Sequence, residues 1–248
     1  MNRLKIKQIN DHIYLLNDND EATGYLITGK TKVLIIDTMN GLVDVHAAAR
    51  TITDLPIMVV NTHAQPDHIF GNVYFEEVYI HPDDIELANE YLQIPEFVTA
   101  IRDFNMTPAA FKPIHEGEII NLGDIELEVF KVSGHTPGGI VLLDRKDRIL
   151  FTGDSIIEQT WMQLPECRPM KEFYDSLKNL EEIRKDYDYI LTGHSRDLED
   201  ASLYEAHLNA VREVYEGKNE NDEPYEWFGG VCMAHPYGEG CRRIVYNK

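Results

Sequence analysis

Cysteine is scarce in this chain, with only Cys167, Cys232 and Cys241 among 248 residues. A small, odd number excludes a disulfide scaffold and fits a reducing compartment. Cys232 and Cys241 stand near enough in sequence to pair, but spacing alone does not decide it. Basic residues are scarce too: 23 Lys plus Arg face 43 Asp plus Glu, a formal net charge of −20. A polyanion gains no counterion-release energy on nucleic acid, and no basic stripe offsets the total locally, so nucleic acid is excluded as a partner. No apolar run approaches the length of a transmembrane helix. The first ten residues alternate charged and apolar side chains and lack the apolar stretch of a signal peptide. The expectation is a cytoplasmic protein with no membrane partner. There is also no Gly-rich phosphate loop, no nucleophile-elbow serine, no low-complexity linker and no short-period repeat.

What is present suffices for a globular core. Forty-three per cent of the chain is apolar, and the length suits a single domain over residues 1–248. Ile13 to Leu16, Tyr25 to Thr28 and Val33 to Ile36 read as short strands between turn-like stretches. Val43 to Ile52, rich in Ala, reads as a helix. Ile57 to Val60 is a short continuous apolar run, as in a strand buried on both faces. Residues 83–111 read as mostly helical, with breaks at Pro95 and Pro108. Strand patterns return at Ile125 to Val132, Ile140 to Leu143, Ile149 to Phe151 and Tyr189 to Leu191. Phe173, Leu177 and Leu180, and again Tyr204, Leu208 and Val211, fall on helical spacing. The stretch from Glu216 to Pro224 is polar and reads as an exposed loop before the tail. Sheet and helix patterns mixed in both halves predict a layered α/β architecture.

Four strand ends carry the chemistry. The run Ile57 to Val60 leads into Asn61-Thr62-His63-Ala64-Gln65-Pro66-Asp67-His68, with two imidazoles and a carboxylate within six residues. Three later strands end alike, in Gly134-His135, Gly153-Asp154 and Gly193-His194. Strand ends in α/β folds are where ligands collect, and glycine lets the backbone turn tightly beneath them. One such junction is unremarkable; four point to a metal site, because neutral imidazole and carboxylate are borderline-hard ligands.

This order of motifs resembles the metallo-β-lactamase superfamily, whose signature is His-x-His-x-Asp-His followed by Gly-His, Gly-Asp and a final Gly-His. The match runs from about Tyr25 to about Ser195. The resemblance implies a four-layer αβ/βα sandwich with a metal site at one edge of the two sheets. It assigns His63 and His135 to a first metal site, Asp67, His68 and His194 to a second, and Asp154 to both. Asp37 matches a carboxylate that orients a ligand, and Asp67 is also a candidate catalytic residue that would hold the nucleophile's proton. One or two zinc ions are implied, with iron or manganese as alternatives, and the activity implied is hydrolysis. A metal-bound hydroxide would attack an ester, thioester, lactone or amide bond of a small molecule.

The chain departs from the signature at Gln65, which stands where the family's second motif His falls. An amide oxygen is a weaker ligand than imidazole and its nitrogen end binds no cation. The second site is therefore expected to fill first, with Gln65 a weak ligand at the other. The rival reading is a metal-binding sensor or pseudoenzyme without efficient turnover. Of the other histidines, His46 and His207 read as surface or packing residues of helices, and His81 and His235 as turn residues before proline. His12 and His115 lack the strand–Gly context. Cys167, Trp161, Met162 and Trp227 are read as packing residues that could instead border a substrate pocket. A homodimer is the default oligomer.

Overall fold

The computed structural model describes residues 3–103, 105–227 and 229–248. In chain order the strands of the first half are β1 (Leu4–Gln8), β2 (Ile13–Asp18), β3 (Ala22–Thr28), β4 (Val33–Ile36), β5 (Ile57–Val60), β6 (Glu77–Ile80) and β7 (Ala110–Pro113). They form one sheet in that order, antiparallel from β1 to β4 and parallel from β4 to β7. Helices α1 (Val45–Arg50), α2 (Pro66–Ile69), α3 (Pro82–Tyr91) and α4 (Pro95–Asp103) lie between its later strands. A second sheet has β8 (Ile119–Asn121), β9 (Glu126–Lys131), β10 (Ile140–Asp144) and β11 (Ile149–Gly153). After β12 (Gln159–Met162), α5 (Met170–Asn179) follows, and β13 (Tyr189–Thr192) and β14 (Glu199–Asp200) complete that sheet before α6 (Ser202–Tyr215).

Alternation of side chains along each central strand builds the layers, because successive residues point to opposite faces. On β4, Leu34 and Ile36 join Val60, Leu142 and Phe151 between the sheets, whereas Val33 and Ile35 pack outward with Val45 and Ala49 of α1. On β10, Ile140 and Leu142 face inward; Val141 and Leu143 face Phe173 and Leu177 of α5 and Leu203, Tyr204 and Val211 of α6. The architecture is the αβ/βα sandwich expected. Tyr25 and Phe151 meet edge to face across the sheets, ring centroids 5.2 Å apart.

Element ends differ from the sequence reading in ways with physical causes. The helix anticipated over Val43 to Ile52 is confined to α1, because the Asp44 side chain accepts from Ala47 N and caps its start. Helical structure does not run to residue 111: α3 and α4 each begin on a proline at the first helical position, and Ala110–Pro113 pairs as a strand with β6. The tail is not a loose end. β15 (Glu223–Trp227), β16 (Gly230–Pro236) and β17 (Arg243–Tyr246) form a third sheet in which β17 pairs in parallel with β12. The polar stretch read as a loop from Glu216 therefore ends in β15, which already includes Pro224 on the edge of that sheet. The cysteines are free, Cys232 buried and Cys241 exposed, so they do not pair. No helix among the described residues is long and apolar enough to cross a membrane.

Candidate metal centre

The ends of β5, β9, β11 and β13 converge at one edge of the sandwich. Backbone bonds stitch this edge: Ile140 N donates to Thr62 O at 2.8 Å, Gly193 N to Gly153 O at 2.8 Å, and Thr23 N to Gly193 O at 2.8 Å. Two glycines are required by this closeness. A Cβ at Gly193 would stand 2.2 Å from Asp154 Oδ1 and 2.5 Å from His68 Cε1. Gly153 holds a φ of +49° with Thr62 Oγ1 2.3 Å from where its Cβ would lie.

The turns carry His63, His135, Asp154 and His194 to one point, and α2 adds Asp67 and His68. Candidate ligand atoms of His63, His135 and Asp154 lie within 4.8 Å of one another, and so do those of Asp67, His68 and His194. His194 Nε2 is 3.5 Å from Asp67 Oδ2 and 3.3 Å from Asp154 Oδ2; His68 Nε2 is 3.5 Å from Asp154 Oδ1. Two donors at about 2.05 Å from one tetrahedral ion stand about 3.4 Å apart, so the spacing suits a shared cation.

Hydrogen bonds on the far side of each ring decide which nitrogen faces the centre. His68 Nδ1 lies 2.9 Å from Asp37 Oδ2, an acceptor, so Nδ1 carries the proton. Thr62 Oγ1 donates to Asp37 at 2.7 Å and thus accepts from His63 Nδ1 at 3.0 Å. His135 Nδ1 donates to the Trp161 carbonyl at 2.8 Å. In all three rings the inward nitrogen is Nε2, the one that a neutral imidazole with its proton on Nδ1 leaves free to bind a cation. His63 Nε2, His68 Nε2 and Asp154 Oδ1 are buried without a hydrogen-bond partner. Buried polar atoms without partners are costly, and a divalent cation would satisfy all three. The residues fit a metal.

Asp37, expected to orient a ligand, does touch one. It sits in the left-handed region, φ 57°, uncommon for a non-glycine residue. Thr62 N and Oγ1 hold both its oxygens, each at 2.7 Å, while it grips His68. A second such carboxylate was not legible in the sequence. Asp84 is buried on α3 and accepts from Ala64 N at 3.0 Å, Thr136 Oγ1 at 2.7 Å and Gly138 N at 2.6 Å. It ties the His63 loop to the His135 loop. Burial raises its carboxyl despite these three donors.

Gln65 is oriented by neighbours distant in sequence. Its Nε2 donates to Glu166 Oε1 at 3.0 Å, and Tyr91 OH donates to the same oxygen at 2.6 Å. Because a carboxylate oxygen only accepts, the amide must turn its own oxygen inward, where Oε1 lies 2.9 Å from His135 Nε2. With the His135 proton on Nδ1, a neutral ring turns its Nε2 lone pair towards that of the amide oxygen, and either a second proton or a metal cation between them relieves the repulsion.

The electrostatics divide the rings. Burial pushes His63 well below the usual range, reinforced by the charge of His68. Burial opposes protonation of His68 as well, yet Asp67, Asp154 and Asp37 hold it well above. Burial would raise Asp154, but His194 and His68 hold it well below. The carboxylates of the centre thus favour a proton on His68 and His194 but not on His63.

The site opens into a pocket of about 830 Å³ lined in part by Asp67, His135, Asp154 and His194. Trp161 and Trp227, read from sequence as core residues, form part of its wall, with ring centroids 5.8 Å apart at 74°. The third sheet explains this: β12 carries Trp161 and β15 carries Trp227 to the same place. Glu166 and Tyr91 also line the pocket, and no motif marked them. Met162 is buried in the core, as read. Cys167 is partly buried, its Sγ 3.2 Å from His135 O, and burial followed by the Glu166 charge pushes its thiol up to about 12. The remaining histidines lie elsewhere. His81 caps α3 through Asp83 N, His207 is buried in α6, His46 packs on Phe75 and His235 contacts Asp222 and Glu213.

Comparison with known proteins agrees with this geometry. The profile of the Metallo-beta-lactamase superfamily matches residues 19–194. The acyl-coenzyme A thioesterase MBLAC2 of Gallus gallus is 27% identical over 218 residues, covering 77% of this chain and 79% of its own. A hydroxyacylglutathione hydrolase of Erythrobacter litoralis is 29% identical over 173 residues, 68% of this chain and 57% of its own. The DIM-1 metallo-β-lactamase structure superposes with a TM-score of 0.65 at 18% identity, over 86% of this chain and 98% of that one, and shares the fold. The chain belongs to the metallo-β-lactamase superfamily. It is a hydrolase of that superfamily, and the reading as a binding module without turnover is not favoured.

Proposed function

We propose that the chain acts as one domain that hydrolyses a thioester or ester bond of a small molecule with the help of zinc. The observation that carries this reading is the set of bare, buried ligand atoms at the floor of an open pocket. The thioester preference is supported by the two named relatives, a thioesterase and a hydroxyacylglutathione hydrolase.

His63, His135 and Asp154, with the Gln65 oxygen, would hold one ion; Asp67, His68, His194 and Asp154 would hold the other. A metal held there would supply a coordinated water of lowered pKa and a Lewis acid for the scissile carbonyl. The chain's own groups set the rest. Asp37, Thr62 and the Trp161 carbonyl keep three imidazoles in the tautomer that turns Nε2 inward. Asp67, on the first turn of α2 and part of the pocket wall, would take the proton of the attacking water and return it to the leaving group. Trp161 and Trp227 shield one side of the pocket from solvent, which strengthens each electrostatic contact within. The complete set of four protein ligands at the second ion, against a weaker amide at the first, orders the two affinities.

The test is metal content by plasma mass spectrometry on protein purified without chelator, alongside hydrolysis of a simple thioester. One tightly held zinc, a second held more loosely, and turnover that requires both the metal and Asp154 are expected. Absence of metal after reconstitution, or no turnover in fully loaded protein, would overturn the reading.

A further inference from the structure

The wall of the pocket contains an unusual balance of charge. Among the described residues that line it there is no lysine and no arginine, while Glu158, Glu166 and Glu199 stand around the catalytic carboxylates. Asp67 and Asp154 belong to the metal centre. The three glutamates do not, and their partners bring little positive charge. Glu166 accepts from Gln65 and Tyr91, both neutral donors. Glu199 accepts from Ser195 Oγ at 2.9 Å. One cation stands nearby: Arg242 Nε lies 3.7 Å from Glu158 Oε1 and its charge also reaches Glu199, but Arg242 is not itself part of the lining. Burial raises the Glu199 carboxyl above its usual range, with the charge of Glu158 adding to it and Ser195 and Arg242 opposing.

The apolar part of the wall is aromatic. Trp161 and Trp227 meet edge to face, with Ile157 and Leu164 lining the same pocket. An indole face beside carboxylates is a setting in which an ammonium is attracted by both, and an anion is repelled by both. Coenzyme A bears phosphates and glutathione bears carboxylates, and a pocket built for either needs fixed cations to replace their hydration. The described lining offers none beyond the metal centre.

We propose that this pocket selects a thioester or ester whose apolar body bears a neutral or, better, an ammonium end, and disfavours substrates on anionic carriers, with Glu166 as the specificity-determining residue. The inference rests on the hydrolase reading above. It narrows the substrate to a class different from those in the relatives' names.

Both tryptophans of the chain lie in the pocket, so intrinsic fluorescence reports occupancy directly. Three matched, non-hydrolysable hexyl thioethers ending in trimethylammonium, hydroxyl or carboxylate are titrated into the zinc-loaded protein. The same titration into chelated protein removes direct carboxylate binding to the ions. The ammonium compound is expected to bind about tenfold or more tighter than the carboxylate, with the hydroxyl between, and kcat/KM of the corresponding thioesters is expected to follow the same order. Glu166→Gln should narrow the gap. Raising ionic strength on the unaltered protein should narrow it too, which keeps the test informative if the variant fails to fold. Equal or tighter binding of the carboxylate in both forms, or a coenzyme A thioester hydrolysed as fast as a neutral one, overturns the proposal. A preserved binding order with no hydrolysis of any thioester supports the selectivity and overturns the hydrolase reading instead.

Discussion

Two His/Asp clusters lie in this fold, and they differ in what their atoms are left to do. At the β10–β11 turn, candidate ligand atoms of His12, Asp144 and Asp147 come within 4.8 Å of one another, as closely as those of the metal centre. There the groups satisfy each other. His12 Nε2 lies 2.6 Å from Asp147 Oδ2, Asn10 donates to the other Asp147 oxygen at 3.2 Å, and Asp144 Oδ1 takes the backbone N–H groups of Lys146 and Asp147. Asp144 Oδ2 is the one buried oxygen of the group left over. Burial, with the Asp147 charge adding, pushes the Asp144 carboxyl up to about 6, so a proton is the natural partner for that oxygen. At the metal centre His63, His68 and His135 use Nδ1 outward and turn Nε2 inward, where those of His63 and His68 have no hydrogen-bond partner. Identical residue types thus make a self-satisfied turn in one place and a cation site in the other, according to which ring nitrogen the surroundings occupy.

The largest effect expected from breaking this contrast is at Asp154. Replacing the carboxylate that faces His68, His135 and His194 by Asp154→Ala should abolish tight metal binding and lower thioester turnover by about 10³-fold or more, several kcal/mol of barrier. Metal analysis and initial rates would show it, and Asp147→Ala should leave both unchanged. Next is Asp37→Ala, which frees the His68 ring and lets its tautomer change. Competition with a chromophoric chelator should reveal a loss of about 10–100-fold in metal affinity. Gln65→His should act in the opposite direction, tightening the weaker metal equivalent by on the order of tenfold while leaving the stronger one as it was. Equal affinities for both ions in the unaltered protein would contradict the role given to the amide.

The smallest expected effect concerns the other cluster and has a definite sign. The folded-state carboxyl of Asp144 titrates at about 6, above the ordinary aspartate value of 3.8. The fold therefore favours the protonated acid, and that contribution is full below about 3.8 and lost as pH rises through about 6. Asp144→Asn imitates the protonated form. It should raise stability by about 1–2 kcal/mol at neutral pH, a figure reduced because Asp147 is partly in water, and by almost nothing at pH ~4. Thermal melts at the two pH values, each against the parent protein, would check it.

Much of the centre is legible in the sequence alone. Each of the apolar runs Val33 to Ile36, Ile57 to Val60, Ile149 to Phe151 and Tyr189 to Leu191 is a strand, because a segment covered on both faces must be apolar, with Tyr189 at the start of β13 the exposed exception. β1 escapes such a reading since it is an edge strand with only Leu4 buried. β6 and β7 each carry exposed positions that blur the pattern. The third sheet is hidden for a different reason: its strands β12 and β17 are separated by some eighty residues and pair in parallel. Glu166 and Tyr91 carry no local signal at all, because their meaning depends on Gln65, which lies far from Glu166 in the chain.

By itself, the sequence determined which strand ends would bear His, Asp and Gly, since burial demands apolar runs and a tight turn beside ligands demands glycine. It also determined that the protein would be strongly acidic. The tertiary structure decided which nitrogen of three of the rings points inward, which way the Gln65 amide lies, and that two tryptophans packed on the third sheet also line a pocket. Those are properties of contacts between distant segments. A hydrogen bond to Asp37, to the Trp161 carbonyl or to Glu166 has no period and no spacing, and exists only once the sheets have brought its two ends together.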